Sequence, residues 1–132
     1  MLFLLAILLA LIPAAPQDAH DMYSIYFGGG SYYIDPQQEQ GLYEFLDAHP
    51  QAKHLTITIH SHTDDIGSLE YNERLSRLRS LEARQRLLHY GIPAENLSIQ
   101  DFGELNPVYD NSTWAGKLKN RRVDVIIHRV EI

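Results

Sequence analysis

Residues 55–79 read LTITIHSHTDDIGSLEYNERLSRLR, and this stretch decides the fold. Leu55, Ile57 and Ile59 alternate with Thr56, Thr58 and His60, the period of a half-buried strand. Thr63, Asp64, Asp65 and Gly67 then break the alternation. Ser68 is placed to cap a helix, and Glu70 falls in its first turn, where the helix dipole favours a negative charge. On that helix Asn72, Leu75, Ser76 and Arg79 are spaced i, i+3, i+4 and i+7, so they share one face. The spacing predicts that Asp64 on the turn and Asn72 and Arg79 on the helix converge on one pocket.

Working outward toward the N-terminus, His49 and Pro50 close a helix opened by Asp35 as N-cap and Pro36 as first residue, with Leu42, Tyr43, Phe45 and Leu46 as its apolar positions. Before it, Met22 to Phe27 reads as a short strand, followed by Gly28, Gly29, Gly30 and Ser31. A glycine loop after a strand can cradle phosphate, but no Lys or Arg lies near this one. Leu2 to Ile12 is an unbroken apolar run, too short to span a bilayer, and Pro13, Ala14, Ala15 and Pro16 follow. It reads as the core of a signal peptide over residues 1–15, with the mature chain beginning close to Pro16 and exported.

Toward the C-terminus, the long helix is expected to run through Leu78, Leu81, Leu88 and Tyr90 to a stop at Gly91. Its other arginines, Arg74, Arg77, Arg84 and Arg86, are explained by Glu73, Glu82 and solvent. Leu97 to Phe102 is a third strand, and Asn106 before Pro107 sits in a turn-rich segment. One or two helical turns over Trp114 to Lys119 precede Asn120, Arg121 and Arg122, and Val123 to Val130 closes the chain as a strand. This order implies an α/β fold: a mixed four-stranded sheet with two main helices on one face.

Composition narrows the function. The chain has 132 residues, 45% hydrophobic, which suits one domain and leaves no room for a transmembrane barrel. A net charge of -6 argues against nucleic acid. No Lys or Arg precedes Lys53, so all the cationic chemistry lies in the second part. Absence of cysteine removes disulfides, thiolate metal sites, a cysteine nucleophile and the N-terminal Cys of a lipid-anchored protein.

TDDIGSLEYNERLSRLRS, YGIPAENL, FGELNP and NRRVDVII, in that order, resemble the OmpA-like C-terminal domain, the peptidoglycan-associating module of bacterial envelope proteins. The resemblance implies a β-α-β-α-β-β sandwich over residues 22–132 and non-catalytic binding of peptidoglycan through the diaminopimelate of its stem peptide. It places the protein in the periplasm, associated with the outer membrane, with other envelope proteins as further partners and no cofactor. By the same resemblance Asp64 and Arg79 match the two principal ligand-contacting positions, with Thr63 and Asn72 as neighbours; Leu75 shares their helix face. A carboxylate and a guanidinium suit a ligand tip bearing an ammonium and a carboxylate. Both side chains are expected to be removable without loss of the fold. The resemblance also sets the glycine loop at the pocket's edge, where the family commonly carries polar side chains.

Two other readings remain open at this point. His60, His62 and Asp64 form an H-x-H-x-D string with the spacing of a metal-dependent hydrolase, since alternate residues of a strand share a face. An interaction or scaffold subunit of an envelope complex is the third reading, with Asn120, Arg121 and Arg122 as its contact. Their plainer role is structural: Asn120 tying down a turn and one arginine pairing with Glu104 or Asp124. Ser61, Ser76 and Ser112 form no triad pattern, so the sequence offers no catalytic nucleophile.

Overall fold

The computed structural model describes residues 19–105 and 107–129. The expected signal peptide, Asn106 and Val130 lie outside the described residues. Four strands, β1 (Ala19–Tyr26), β2 (Thr56–His62), β3 (Leu97–Gly103) and β4 (Arg122–Arg129), form one sheet in the order β1-β4-β2-β3. β4 runs antiparallel to both β1 and β2, and β2 runs parallel to β3, so the sheet is mixed as expected. The helices are α1 (Pro36–Asp47), α2 (Leu69–Tyr90) and the short α3 (Trp114–Asn120).

The isoleucines of β2 face the core as the alternation implies, but Thr58 and His62 on the other face are buried too, so the strand is more than half-buried. Ile57 and Ile59 are fully buried with Ile25 of β1 and Val123, Val125 and Ile127 of β4, against Leu42 and Leu46 of α1 and Ala83 and Leu87 of α2. Each buried aliphatic side chain is worth roughly 1.5–3 kcal/mol, so this shared face holds both main helices to the sheet. The caps fall where the sequence put them: Asp35 accepts from the Gln38 amide, Ser68 from the Tyr71 amide, and Gly91 ends α2 at φ 114°, a conformation that favours glycine.

On α2 the leucines Leu78, Leu81 and Leu88 are not the buried face: Leu81 is exposed, and Leu78 and Leu88 are half-buried. The helix instead turns Asn72, Leu75, Ser76, Arg79, Ser80, Ala83 and Leu87 inward, apolar at its C-terminal end and polar at its N-terminal end. The polar half is satisfied by the ends of β2 and β3: Ser76 Oγ donates to the Ser61 carbonyl (3.3 Å) and accepts from the Gly103 amide (3.1 Å), and Ser80 Oγ donates to Asp101. Arg86, expected to pair within its own helix, reaches Glu39 of α1 at 2.9 Å and ties the two helices together. The first strand also begins at Ala19 rather than Met22, because β4 offers it partners as far as Arg129.

Candidate functional site

The sequence brings the site together where β2 ends and α2 begins. Thr63 continues from β2, buried, with its amide donating to the Gly103 carbonyl (2.9 Å) and its hydroxyl to the Asp64 carbonyl (2.9 Å). Asp64 then turns the chain: its Oδ1 accepts from the Ile66 amide at 3.1 Å. Asp64, Asn72, Leu75 and Arg79 line one cavity of about 240 Å³, together with Gly29, Gly30, Ile66, Tyr71 and Arg121. Thr63, expected beside Asp64 in the site, is buried and is not one of the residues lining the cavity. A larger depression of about 440 Å³ beside α1 has one carboxylate, Glu44, and no cation on its walls.

Arg79 is only 1% exposed, and its guanidinium is spent on the main chain. Nε donates to the Ser31 carbonyl (2.8 Å), one terminal nitrogen to the His62 carbonyl (3.2 Å) and the other to the Gly28 carbonyl (3.1 Å), with the Phe27 ring 4.9 Å away. Arg79 therefore staples the glycine loop to the end of β2. Burial lowers its pKa to about 10, with the Asp64 carboxylate opposing the shift and Arg121 adding to it. It stays cationic at neutral pH. The expectation that Arg79 could be deleted without touching the fold is corrected by this geometry, since truncation would leave three carbonyls without their donor.

The cation bonded to Asp64 is Arg121, which sequence reasoning left unassigned. Its Nε donates to Asp64 Oδ2 at 2.6 Å, and both side chains are nearly buried. The glycine loop makes room for it. A Cβ on Gly29 would lie 3.3–3.4 Å from the Arg121 guanidinium atoms, tighter than ordinary contact. Gly29 and Gly30 thus do border the cavity, and their bareness admits a cation in place of a side chain of their own. Tyr32 and Tyr33 of the same segment are exposed. Two guanidiniums and one carboxylate give the cavity a net positive charge.

The remaining NRR residues take the structural role. Asn120 Nδ2 donates to the Tyr109 carbonyl (2.8 Å) and its Oδ1 accepts from the Tyr109 amide (3.1 Å), tying down the turn before α3. Arg122 pairs with Asp124, its Nε 3.0 Å from Oδ1. Glu104 serves Asn72 instead: Asn72 Nδ2 donates to Glu104 Oε2 at 3.0 Å.

The H-x-H-x-D string does not gather. His60 and His62 share the sheet face away from α1 and α2, both against the Phe102 ring, and His62 Nε2 lies 3.6 Å from Asp124 Oδ2. Asp64 lies past the strand end, on the cavity. Burial lowers the pKa of His60, with the neighbouring His62 adding to the shift. Among the described residues no group of three or more His, Asp or Glu is placed to hold a metal ion. No helix among them is long and apolar enough to cross a membrane.

Comparison with known proteins agrees with this architecture. Outer membrane porin F of Pseudomonas fluorescens is 33% identical over 88 residues, 67% of this chain and 26% of that protein, so the chain spans about a quarter of that relative's length. The crystal structure of the peptidoglycan-associated lipoprotein from Burkholderia pseudomallei superposes with a TM-score of 0.66 at 29% identity, covering 80% of this chain and 89% of the other. The C-terminal domain of Helicobacter pylori MotB has the same fold, with a TM-score of 0.72 at 22% identity over 83% of this chain and 85% of its own. Residues 26–121 match the OmpA family, and with the mixed sheet and helix pair in place, the chain belongs to that family.

Proposed function

We propose that this domain binds cell-wall peptidoglycan without doing chemistry on it, and that the cavity takes the ammonium and carboxylate tip of diaminopimelate in the stem peptide. The observation that carries the reading is the meeting of Asp64, Arg79 and Arg121 on one open cavity. A ligand carboxylate meets the Arg121 guanidinium, with the buried Arg79 charge behind it, and an ammonium shares the Asp64 carboxylate. Asn72 and Leu75 form the wall that orients the tip. The names of the relatives, an outer membrane porin and a peptidoglycan-associated lipoprotein, support an envelope setting. We place the protein outside the cytoplasm, exported by residues 1–15, with the wall as its main partner.

Affinity for one stem peptide is modest, because a small polar ligand buries little apolar surface. Retention on the wall then comes from many repeated sites and rebinding. The test is co-sedimentation with purified diaminopimelate-type sacculi, with free diaminopimelate as competitor. Asp64→Asn keeps the shape and removes the charge, so it should lower the bound fraction at least about tenfold, the loss of one charge-assisted contact. Circular dichroism checks that the fold survives. A folded Asp64→Asn protein that sediments like the wild type would reject this cavity and favour the interaction-subunit reading.

A further inference from the structure

A solvent-facing indole lies next to this cavity, one contact beyond its lining at Arg121. Trp114 is the single tryptophan of the chain and is 60% exposed. Three features fix the helix that carries it. Thr113 caps α3, its Oγ1 accepting from the Gly116 amide at 3.0 Å. The bare Cα of Gly116 lets α3 settle onto the Asp110 carbonyl, with which any Cβ there would collide. Lys117 pairs with Asp65, in the same turn that carries Asp64.

One face of the indole lies against the Arg121 guanidinium, 5.0 Å from the ring centre, and that guanidinium bonds Asp64 and lines the cavity. Ile66 and Tyr71, both on the cavity wall, are 51% and 46% exposed. The charged floor therefore has an apolar, partly aromatic rim. Large apolar side chains held in water beside a polar pocket mark a binding surface. A flat ring with one free face suits a ligand that offers C–H groups on one side and polar groups around its edge, which is the surface of a pyranose.

We propose that Trp114, backed by Arg121, is a stacking platform for an N-acetylated sugar of the glycan strand that adjoins the bound stem peptide. This rests on the reading of the cavity as a peptidoglycan site. The peptide tip fills the floor, and the rest of the polymer leaves through the mouth and passes the indole.

Two soluble wall fragments test it on the full chain: the free diaminopimelate stem peptide, and the same peptide carrying its disaccharide. Titration calorimetry should show the disaccharide tightening binding about two- to tenfold, the reach of one aromatic contact. The emission of the lone indole should shift only with the sugar-bearing fragment. Trp114→Ala should erase the gain and leave the bare-peptide Kd within about twofold, a difference under 0.5 kcal/mol by the usual conversion; Trp114→Phe should keep part of the gain. Equal wild-type Kd values for the two fragments would overturn the platform while leaving the cavity reading in place. So would a Trp114→Ala protein weakened equally toward both, since the indole would then act only as a prop for Arg121. Failure of the wild type to bind either fragment would overturn the cavity reading, and the platform with it.

Discussion

Arg121, the cap of α3, and Arg122, the first residue of β4, are neighbours in sequence, and each is bonded to a different aspartate. The Arg122 side is closed. Asp124 accepts from Arg122 Nε (3.0 and 3.2 Å) and from Ser24 Oγ (2.7 Å), with His62 at 3.6 Å, while Arg122 also donates to the Lys119 carbonyl (3.1 Å) and lies over the Tyr109 ring. The Arg121 side is open. Asp64 accepts one bond from Arg121 and one from its own turn, and both charged groups border a cavity that Arg79 also lines. The same ion pair thus serves as a plug where neighbours take up its donors and acceptors, and as a candidate site where they are left over. Openness, rather than charge or burial, separates the two.

Stability measurements can break this comparison at its strongest point. Arg122→Ala leaves Asp124 buried without its main partner and should cost about 3–5 kcal/mol in chemical denaturation. Arg121→Ala should cost less, about 2 kcal/mol, because water entering the cavity can solvate Asp64; a reversed order would erase the distinction drawn here. The next effect is on acid stability. Burial would raise the Asp124 carboxyl, but hydrogen bonds from His62 and Ser24 and the Arg122 charge outweigh it and hold the pKa below its ordinary value. The group then contributes stability in full above the usual carboxylate range near about pH 4, and the contribution is lost as pH falls through the lowered value. Asp124→Asn should be less stable than the wild type at neutral pH and should show a flatter decline below about pH 4 in thermal melts. The smallest effect sharpens the open side. Gly29→Ala, at a position with no left-handed backbone, should leave stability within about 1 kcal/mol and weaken sacculus binding a few-fold by displacing Arg121.

Sequence reading succeeded where the geometry is local. Ser68, Asp35 and Gly91 announce helix ends through groups a few residues away, and Asp64, Asn72, Leu75 and Arg79 meet because one strand, one turn and two helical turns carry them. The Arg121–Asp64 bond spans 57 positions and depends on β4 lying beside β2, so nothing around Asn120 could single out Arg121 from Arg122. The clue that could have helped is the i, i+2 spacing of Arg122 and Asp124 on one strand face, which pairs those two and leaves Arg121 for another partner. Arg79 was recognised as a cavity residue, but its second task was not, because main-chain carbonyls 17 to 51 positions away carry no side-chain signature. The inward face of α2 starts with Asn72, Leu75, Ser76 and Arg79, as their spacing implies, and hydrogen bonds to β2 and β3 hold Ser76 and Ser80 there.

The position of β2 has one further consequence. It lies inside the sheet, hydrogen-bonded to β4 on one side and β3 on the other, and Thr63 extends that pairing through the Gly103 carbonyl. Interior strands exchange their amides only when a domain opens as a unit. The turn at Asp64 is therefore anchored to backbone that should be among the slowest to exchange, and it should stay folded unless the sheet opens.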